Sequence, residues 1–434
     1  MDIFDKLLEG VRIPAFAPVH FEIEHGTIVR EDIAELVEKE ILQKGLLSAV
    51  KEGDTVAVTA GSRGITNYDQ IVKCVVDVLK KAGAHPFIFP AMGSHGGAVA
   101  EGQRRILEGY GITEETMGVP IVSSMETVQI GETPHGLPVH MDKNAAVADF
   151  IVPVGRVKPH TDFRGRHESG LYKMLAIGCG KQHGADICHS RGYGEFSRNI
   201  AEIAEVMLQK KKILFGMAIV EDAFHGTYSL TAVPPERFEE EDARLLVKAK
   251  ELIPHIPFEK VNVLVLNRFG KNISGAGMDP NVTGRSGSLP VEKPFIDRIV
   301  VLDLTEESHN NFAGIGIADV ITQRFYSKID FKETYPNGIT SRDLASLKIP
   351  TVMKGDRNAV RAALQTVSGK MPKEGWHVVW MQDTLGLENF LISESLVEEA
   401  RLNPALSVGT ERIVPEFDRD GNLQGQLFKY LHES

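Results

Sequence analysis

One segment, residues 54–97, constrains the fold of this chain more than any other. Its two short runs rich in β-branched or aromatic residues, 55–59 and 87–89, are separated by an amphipathic helical pattern over 68–81. Such β-loop-α-β units build parallel sheets that helices cover on both faces. We therefore predict an α/β protein with mainly parallel sheets.

A second segment, residues 154–190, is rich in groups that do chemistry. It holds four of the fifteen histidines and two of the three cysteines of the chain. A predicted third strand, 149–154, opens directly into it, and glycine-rich loops follow the first two strands. Ligands of parallel sheets bind at the carboxyl ends of the strands. We expect the candidate residues of these loops to lie together: Arg63, His95, His160, Lys173 and His189.

The length of 434 residues predicts more than one domain. A charged stretch, 237–257, ends in prolines and is interpreted as a helical linker. We predict an N-terminal α/β domain over 1–256, which carries the site, and a C-terminal α/β domain over 257–395. The last segment, about 396–434, can pack back on the N-terminal domain.

Composition argues against several classes of function. The formal charge of −11 argues against nucleic acid or an anionic membrane as the main partner. Three cysteines do not make a disulfide framework, and no signal peptide or membrane-length apolar run is visible. We expect a cytoplasmic protein that binds a small molecule, and we leave a homo-oligomer open.

Two histidines and one lysine have both a functional and an ordinary interpretation. His95 and His160 are either surface histidines or a general acid and base, which must titrate near neutral pH. Their expected position at strand ends of one sheet favours the second interpretation. Lys173, which has apolar neighbours, either extends its ammonium to solvent or serves as a nucleophile or covalent attachment point.

Metal ligation is less specific on spacing alone. His167, His183 and His189 could be ligands together with Cys179 and Cys188, but their spacing matches no zinc signature. Cys179 stands among small and apolar residues and is interpreted as a buried side chain.

Two glycine-rich loops could hold an anionic group. The loop 61–64, GSRG, offers backbone N–H groups at a helix start and one arginine, although it matches neither a Walker A loop nor a dinucleotide fingerprint. The loop 270–288 carries Lys271 and Arg285. A long loop without periodicity is uncommon in a compact domain unless it has a function.

Together these residues resemble the nickel-pincer nucleotide-dependent lactate racemases and their homologues that act on other 2-hydroxy acids. The resemblance extends over essentially the whole chain. Its best-matched blocks are GSRG (61–64), GSHGG (93–97), GRVKPH (155–160) and GLYKMLAIGCG…H (170–189). It implies two α/β domains with the active site in the cleft between them.

The resemblance also implies how a cofactor would be held. Lys173 would carry nickel pyridinium-3,5-bisthiocarboxylic acid mononucleotide covalently, with Gly61 and Ser62 in the supporting loop. His189, sixteen residues after the lysine, would complete the nickel coordination. Two sulfurs, one carbon and one imidazole suit a square-planar site. Cofactor-synthesis proteins would be transient partners.

The same resemblance implies an isomerase. His95 and His160 would act alternately as acid and base on the substrate hydroxyl while a hydride leaves C2, which avoids a poorly stabilised carbanion. Arg63 would bind the substrate carboxylate. Lys271 or Arg285 would replace a Gln/Lys pair of the family's second domain.

The chain departs from the family pattern in two places. The family's Asp-x-Thr-Arg-Pro loop is replaced by residues 60–64, AGSRG, which lack the acidic residue. The interval after the Pro-His motif is longer and adds Arg164, Arg166 and His167, which motivates the hypothesis of a larger or more acidic substrate than lactate. Two alternatives stay open: a hydrolase or lyase with a plain divalent metal, and a cofactor-less homologue that binds a small anionic ligand.

Overall fold

The protein consists of two α/β units. The computed structural model describes residues 3–62, 64–161, 163–190, 192–253, 255–287, 293–341, 343–425 and 427. The N-terminal unit is Glu24–Ile253, and the C-terminal unit joins Pro254–Ser434 to Met1–Ile23. Within the described residues, no helix combines the length and the apolar character needed to cross a membrane.

The strands and helices alternate along most of the chain. The strands are β1 (Phe16–Phe21), β2 (Thr55–Ala60), β3 (His85–Pro90), β4 (Thr127–Glu132), β5 (Pro138–Asp142), β6 (Phe150–Val152), β7 (Val154–Arg156), β8 (Gly216–Glu221), β9 (Thr227–Val233), β10 (Lys260–Phe269), β11 (Phe295–Leu304), β12 (Val320–Thr322), β13 (Thr351–Met353), β14 (Val378–Met381), β15 (Asn389–Ser393) and β16 (Leu406–Val408). The helices are α1 (Ile3–Leu7), α2 (Ile33–Gln43), α3 (Tyr68–Lys81), α4 (Ala100–Gly109), α5 (Glu114–Met117), α6 (Lys143–Val147), α7 (Leu171–Lys173), α8 (Lys181–His189), α9 (Phe196–Lys210), α10 (Phe238–Glu251), α11 (Pro280–Thr283), α12 (Gln323–Ser327), α13 (Phe331–Ser341), α14 (Asp356–Gln365) and α15 (Val397–Arg401).

The predicted β-loop-α-β unit forms the centre of the N-terminal unit. β2 pairs in parallel with β3 on one side and with β6 on the other. The helix between β2 and β3, α3, buries Ile71, Val72, Val75 and Leu79 against this sheet. The parallel α/β arrangement predicted from the sequence is therefore confirmed.

The predicted strand 149–154 differs from the structure because it splits between two sheets. β6 ends at Val152, and after Pro153 the chain continues as β7, which pairs in parallel with β8 of a separate sheet that also contains β9. Proline has no N–H to donate to a strand partner, so a change of sheet at Pro153 costs no ladder hydrogen bond. β7 is the strand that leads into the histidine-rich segment.

The charged stretch 237–257 is not a linker. Most of it forms α10, which buries Phe238, Leu245, Leu246 and Ala249 in the core of the N-terminal unit. The charges that suggested a linker occupy the exposed face of an amphipathic helix.

The C-terminal unit contains a mixed sheet in the order β13-β12-β11-β10-β14-β15-β1-β16. Its first five strands pair in parallel, whereas β15, β1 and β16 add antiparallel pairs. Both chain ends thus differ from the predicted domain boundaries: the first 23 residues and the segment after 396 belong to this unit. The reason is that β1 pairs with β15 and β16, which joins both ends of the chain through one sheet.

Candidate active site

Lys173 lies at a change of helix geometry. It is the half-buried last residue of α7, and a π-helix, Met174–Cys179, follows it directly. Such π-helical turns are rare and frequently occur at functional sites. Burial raises the pKa of Cys188 to about 12, and the Lys173 ammonium acts in the opposite direction. The π-helix is followed by α8, whose last residue is His189.

Two loops and one strand lie against this π-helix. A Cβ built on Gly61, after β2, would lie 3.3 Å from Cε of Met174, and one on Gly155 in β7 would lie 3.0 Å from the same atom. A Cβ built on Gly93, after β3, would lie 3.1 Å from Cγ2 of Ile177. A methyl group at these positions would require Met174 or Ile177 to shift by a few tenths of an ångström, so the glycines allow close packing against the π-helix.

His160 and His189 meet at one aromatic side chain. Phe196, the first residue of α9, is 1% exposed, and its ring centroid lies 4.3 Å from that of His189 and 6.5 Å from that of His160. Phe163 lies 4.4 Å from the His160 ring and 4.9 Å from the Phe196 ring. The structure thus places two predicted site histidines against a shared apolar wall. Sequence reasoning missed Phe196, since no spacing signal marks it.

His95 occupies the loop after β3 with a defined tautomer. Its Nδ1 lies 2.8 Å from the carbonyl oxygen of Met92. A carbonyl oxygen can only accept a hydrogen bond, so Nδ1 carries the hydrogen and Nε2 is the nitrogen that can take a proton. The amide of Gln103 donates to the carbonyl oxygens of Gly93 and His95 at 2.9 and 3.2 Å. The loop is therefore held on both sides of Ser94.

A buried lysine, Lys181, contacts both the end of β3 and Gln103, which holds the His95 loop. Lys181, fully buried, donates from Nζ to Oε1 of Gln103 at 2.6 Å and to the carbonyl oxygen of Pro90 at 2.7 Å. The carboxylate of Asp142 lies 4.0 Å away. Burial lowers the pKa of Lys181 to about 8, although Asp142 opposes this shift. Lys181 and Gln103 are residues that the sequence did not single out.

The loop 61–64 differs from the expected anion-binding loop. The N–H of Gly61 donates to the buried hydroxyl of Tyr68 at 2.7 Å, and the carbonyl oxygen of Ser62 accepts from the hydroxyl of Tyr110 at 2.8 Å. The Gly61 N–H therefore has a partner in the protein, because a tyrosine seven residues later reaches back to it. Arg63, the predicted carboxylate ligand, lies outside the described residues.

The loop after β2 lacks an acidic residue near Ala60, but the carboxylate of Glu221 accepts a hydrogen bond from its far end. Glu221, 4% exposed at the end of β8, accepts from the N–H of Thr66 at 2.6 Å and pairs with Arg156. Burial acts to raise the pKa of this carboxyl, but hydrogen bonds from His225 and Arg156 hold it below its usual value. Glu221 is 155 positions from Thr66, so no local pattern could have revealed it.

The three cationic side chains in the longer interval all have partners within the protein. These pairs are Arg164 Nη1 with the carbonyl oxygen of His160 at 2.6 Å, Arg166 with Glu239 at 2.9 Å, and the buried His167 with Asp242 at 3.0 Å. The expectation of a larger or more acidic substrate rested on these charges. Because they are paired, the structure gives that expectation no support.

Lys271 and Arg285 lie in the C-terminal unit and bind backbone there. Nζ of Lys271 donates to the carbonyl oxygens of Gly275 and Ala313 at 2.8 and 2.6 Å. The guanidinium of Arg285 pairs with Asp319 at 2.6 Å and donates to several backbone carbonyl oxygens. These contacts favour a structural role for both side chains over the predicted substrate contacts.

The described residues contain no group of three or more His, Cys, Asp or Glu side chains that could hold a metal ion. Cys179 and Cys188 are buried, and burial raises the pKa of both thiols. The burial agrees with the buried side chain expected at Cys179. His183 is exposed and its ring stands 4.2 Å from that of His140, away from the aromatic pair described above.

Two comparisons with known proteins found a similar domain and a similar fold. The family described as lactate racemase N-terminal domain matches residues 17–191, a range that contains His95, His160, Lys173 and His189. The solved lactate racemase apoprotein from Thermoanaerobacterium thermosaccharolyticum is similar in fold, with a TM-score of 0.51 and 14% identity over 85% of this chain and 99% of that chain. No curated protein sequence matches the chain. Residues 17–191 thus match the N-terminal domain of lactate racemases, and the chain is similar in fold to a lactate racemase.

Proposed function

We propose that this protein is a racemase or epimerase of a 2-hydroxy acid that works with a nickel-pincer nucleotide attached to Lys173. The observation that carries the proposal is the cluster around Phe196. Its ring lies beside the rings of His160 and His189, and Lys173 directly precedes the π-helix, which is followed by α8, the helix that ends at His189.

The chemistry of the available donors fits a cofactor that brings most of its own metal ligands. A zinc ion in a protein usually has three or more protein ligands, and the described residues offer no such group. One half-buried amine, Lys173, and one imidazole, His189, are what a tethered pincer would require. When bound, the cofactor would supply nickel and a pyridinium ring that can accept and return a hydride.

His95 and His160 would move the proton of the substrate hydroxyl. Nε2 of His95 is the nitrogen that can accept this proton, because Nδ1 donates to the carbonyl oxygen of Met92. At His160, the rings of Phe163 and Phe196 exclude water from one side of the imidazole. A proton taken from the hydroxyl can therefore remain on the imidazole until it is returned.

For the substrate carboxylate we propose Arg63, on its place in the GSRG motif. Glu221 would hold the same loop through the N–H of Thr66. An arginine is suited to this task because its planar guanidinium can bind a carboxylate with two parallel hydrogen bonds.

An isotope experiment tests the proposal. Protein produced together with the cofactor-synthesis proteins is incubated in ordinary water with single enantiomers of C2-deuterated 2-hydroxy acids, from lactate to dicarboxylic members. We expect inversion that retains the C2 deuterium, since a hydride returns to the carbon that it left. Inversion with loss of deuterium to solvent would indicate a carbanion and would contradict the proposal.

A further inference from the structure

Helix α10 contributes charged side chains to the segment that carries His160 and Lys173. The helix lies outside residues 17–191, the range that matches the lactate racemase N-terminal domain. Asp242 and Lys250 contact buried groups of that segment, and the exposed Glu239 pairs with Arg166 at its surface. Other acidic residues of the helix, such as Glu240, are exposed and pair elsewhere.

Asp242 accepts a hydrogen bond from the first residue of the helix that bears Lys173. This carboxylate is 1% exposed. Its Oδ1 accepts from the N–H of Leu171 at 2.6 Å, and its Oδ2 accepts from Nδ1 of His167 at 3.0 Å. The His167 ring is stacked on Tyr172 with centroids 4.0 Å apart. The carboxylate of Asp242 thus orients the His167 ring and the Leu171 backbone N–H, which lie on either side of Gly170 in the sequence.

Gly170 is needed for this close approach. A Cβ built on Gly170 would lie 2.2 Å from Oδ1 of Asp242, well inside van der Waals contact. The glycine of the GLYK motif therefore has a physical reason in this chain: it admits the carboxylate of α10 next to the residue that opens α7.

Lys250 fastens the other end of the segment through Glu168. The Glu168 side chain is fully buried, and its Oε2 accepts from the N–H of His160 at 2.7 Å. Its Oε1 accepts from the N–H of Gly165 at 3.2 Å and from Nζ of Lys250 at 2.7 Å. A buried carboxylate needs such a cation, because an unpaired charge out of water is costly.

We propose that Asp242 and Lys250 are positioning residues for Lys173 and His160. Asp242 sets the direction in which α7 presents Lys173, and Lys250, through Glu168, sets the backbone at His160. Both act through other residues and need no contact with substrate. The inference rests on the proposed function, because that function gives Lys173 and His160 their roles.

Hydrogen–deuterium exchange of the cofactor-free protein tests the hydrogen bonds at Leu171 and His160 directly. Asp242→Ala should raise the exchange rate of the Leu171 amide on the order of tenfold or more, because a charge-assisted hydrogen bond is lost. Lys250→Met should raise the exchange rate at His160 in the same way. The matched control is Glu240→Ala, which removes an exposed acid of α10 that pairs with Arg237 and should change neither rate.

Protein produced with the cofactor-synthesis proteins then tests the role. Asp242→Ala should lower the fraction of chains with a mass adduct on Lys173, and the loaded fraction should show a reduced kcat with an unchanged KM. Asp242→Asn keeps an oxygen that can accept from Leu171, so it should restore slow exchange and normal loading. A merely structural role would move KM or thermal stability without this rescue.

The outcomes separate the two claims. Wild-type exchange at Leu171 in folded Asp242→Ala, or at His160 in Lys250→Met, overturns the positioning inference and leaves the racemase proposal standing. If Asp242→Ala does not fold, Lys250→Met carries the test, since its lysine is 41% exposed and its removal should be tolerated. Absence of any adduct on the wild-type protein counts against the proposed function, while the exchange rates still decide the fastening.

Discussion

His95 and His160 are assigned to proton transfer, and Lys173 is assigned to the cofactor, so substitutions should separate the two tasks. We expect His95→Ala and His160→Ala each to reduce kcat on the order of 10²–10⁴-fold, the range for loss of a general acid or base. Both variants should keep the Lys173 adduct in intact-protein mass spectra. The exposed His183 is a control on α8, and His183→Ala should racemise like the wild type. Undiminished turnover in His95→Ala or His160→Ala would refute its assignment.

The buried Lys181 should make stability depend on pH in a predictable direction. Its pKa is about 8 in the folded protein and 10.5 ordinarily. Between these values the unfolded chain binds more protons, so the Lys181 contribution to the free energy of unfolding rises with pH. Below pH 8 the ammonium is charged in both states, and the cost of burying it is fully present.

Urea denaturation of the wild type and of Lys181→Met at several pH values measures this effect. From about pH 8 to pH 10.5, the wild type should gain stability relative to the variant, by up to about 3 kcal/mol. The variant serves as the reference because the buried tyrosines and cysteines titrate in both proteins. If the difference in free energy of unfolding between the wild type and Lys181→Met stays constant or falls with pH, burial does not lower the pKa of Lys181.

At the scale of the element, the π-helix Met174–Cys179 should tolerate no extra volume. A Cβ on Gly178 would lie 2.7 Å from Sδ of Met174 and 2.8 Å from the carbonyl oxygen of Ala91. We expect Gly178→Ala to lower the free energy of unfolding by about 1–3 kcal/mol, the usual cost of overpacking a core. Gly109→Ala, at the end of α4 with no atom within 4 Å of the new methyl group, is the control. Equal stability of the two variants would mean that the loop at Ala91 moves aside.

The spacing of apolar residues predicted those helices and strands in which the apolar face is also the buried face. The helix over 68–81 has the predicted bounds, because one face is apolar throughout. The sequence of α10 resembles a charged linker, because its charged residues outnumber the buried residues on its inner face. The π-helix was not predicted, because π-helical turns are rare and no local pattern in the sequence marks this one.

At the scale of the whole molecule, the first strand should stabilise the C-terminal unit and not the unit that follows it in sequence. Phe16 is fully buried in β1, and its ring lies 5.6 Å from that of Trp380 in β14. Phe16→Ala should cost about 3–5 kcal/mol. Hydrogen exchange should accelerate in β14 and leave β2 unchanged, and the exposed His20 of the same strand offers the control His20→Ala. Faster exchange in β2 alone would contradict the division of the chain.

The candidate site could be predicted only in its motif residues. His95, His160, Lys173 and His189 stand in recognisable blocks, whereas Phe196, Gln103, Lys181 and Glu221 carry no local signal. Gln103 and Glu221 lie on elements remote in sequence, and the contacts of Lys181 and Phe196 depend on tertiary packing, so only the structure reveals them. The same holds for the partners of Arg164 and His167, which are the carbonyl oxygen of His160 and the carboxylate of Asp242.

The mass of the intact protein tests the central claim most directly. The chain is produced with the cofactor-synthesis proteins, beside a lactate racemase that reports whether loading has occurred, and compared with Lys173→Arg and with Lys51→Arg at an exposed lysine. The account predicts one adduct on the wild type and on Lys51→Arg, mapped to Lys173, and none on Lys173→Arg. An unmodified wild type in a preparation whose lactate racemase is loaded, or an adduct that persists in Lys173→Arg, would contradict it.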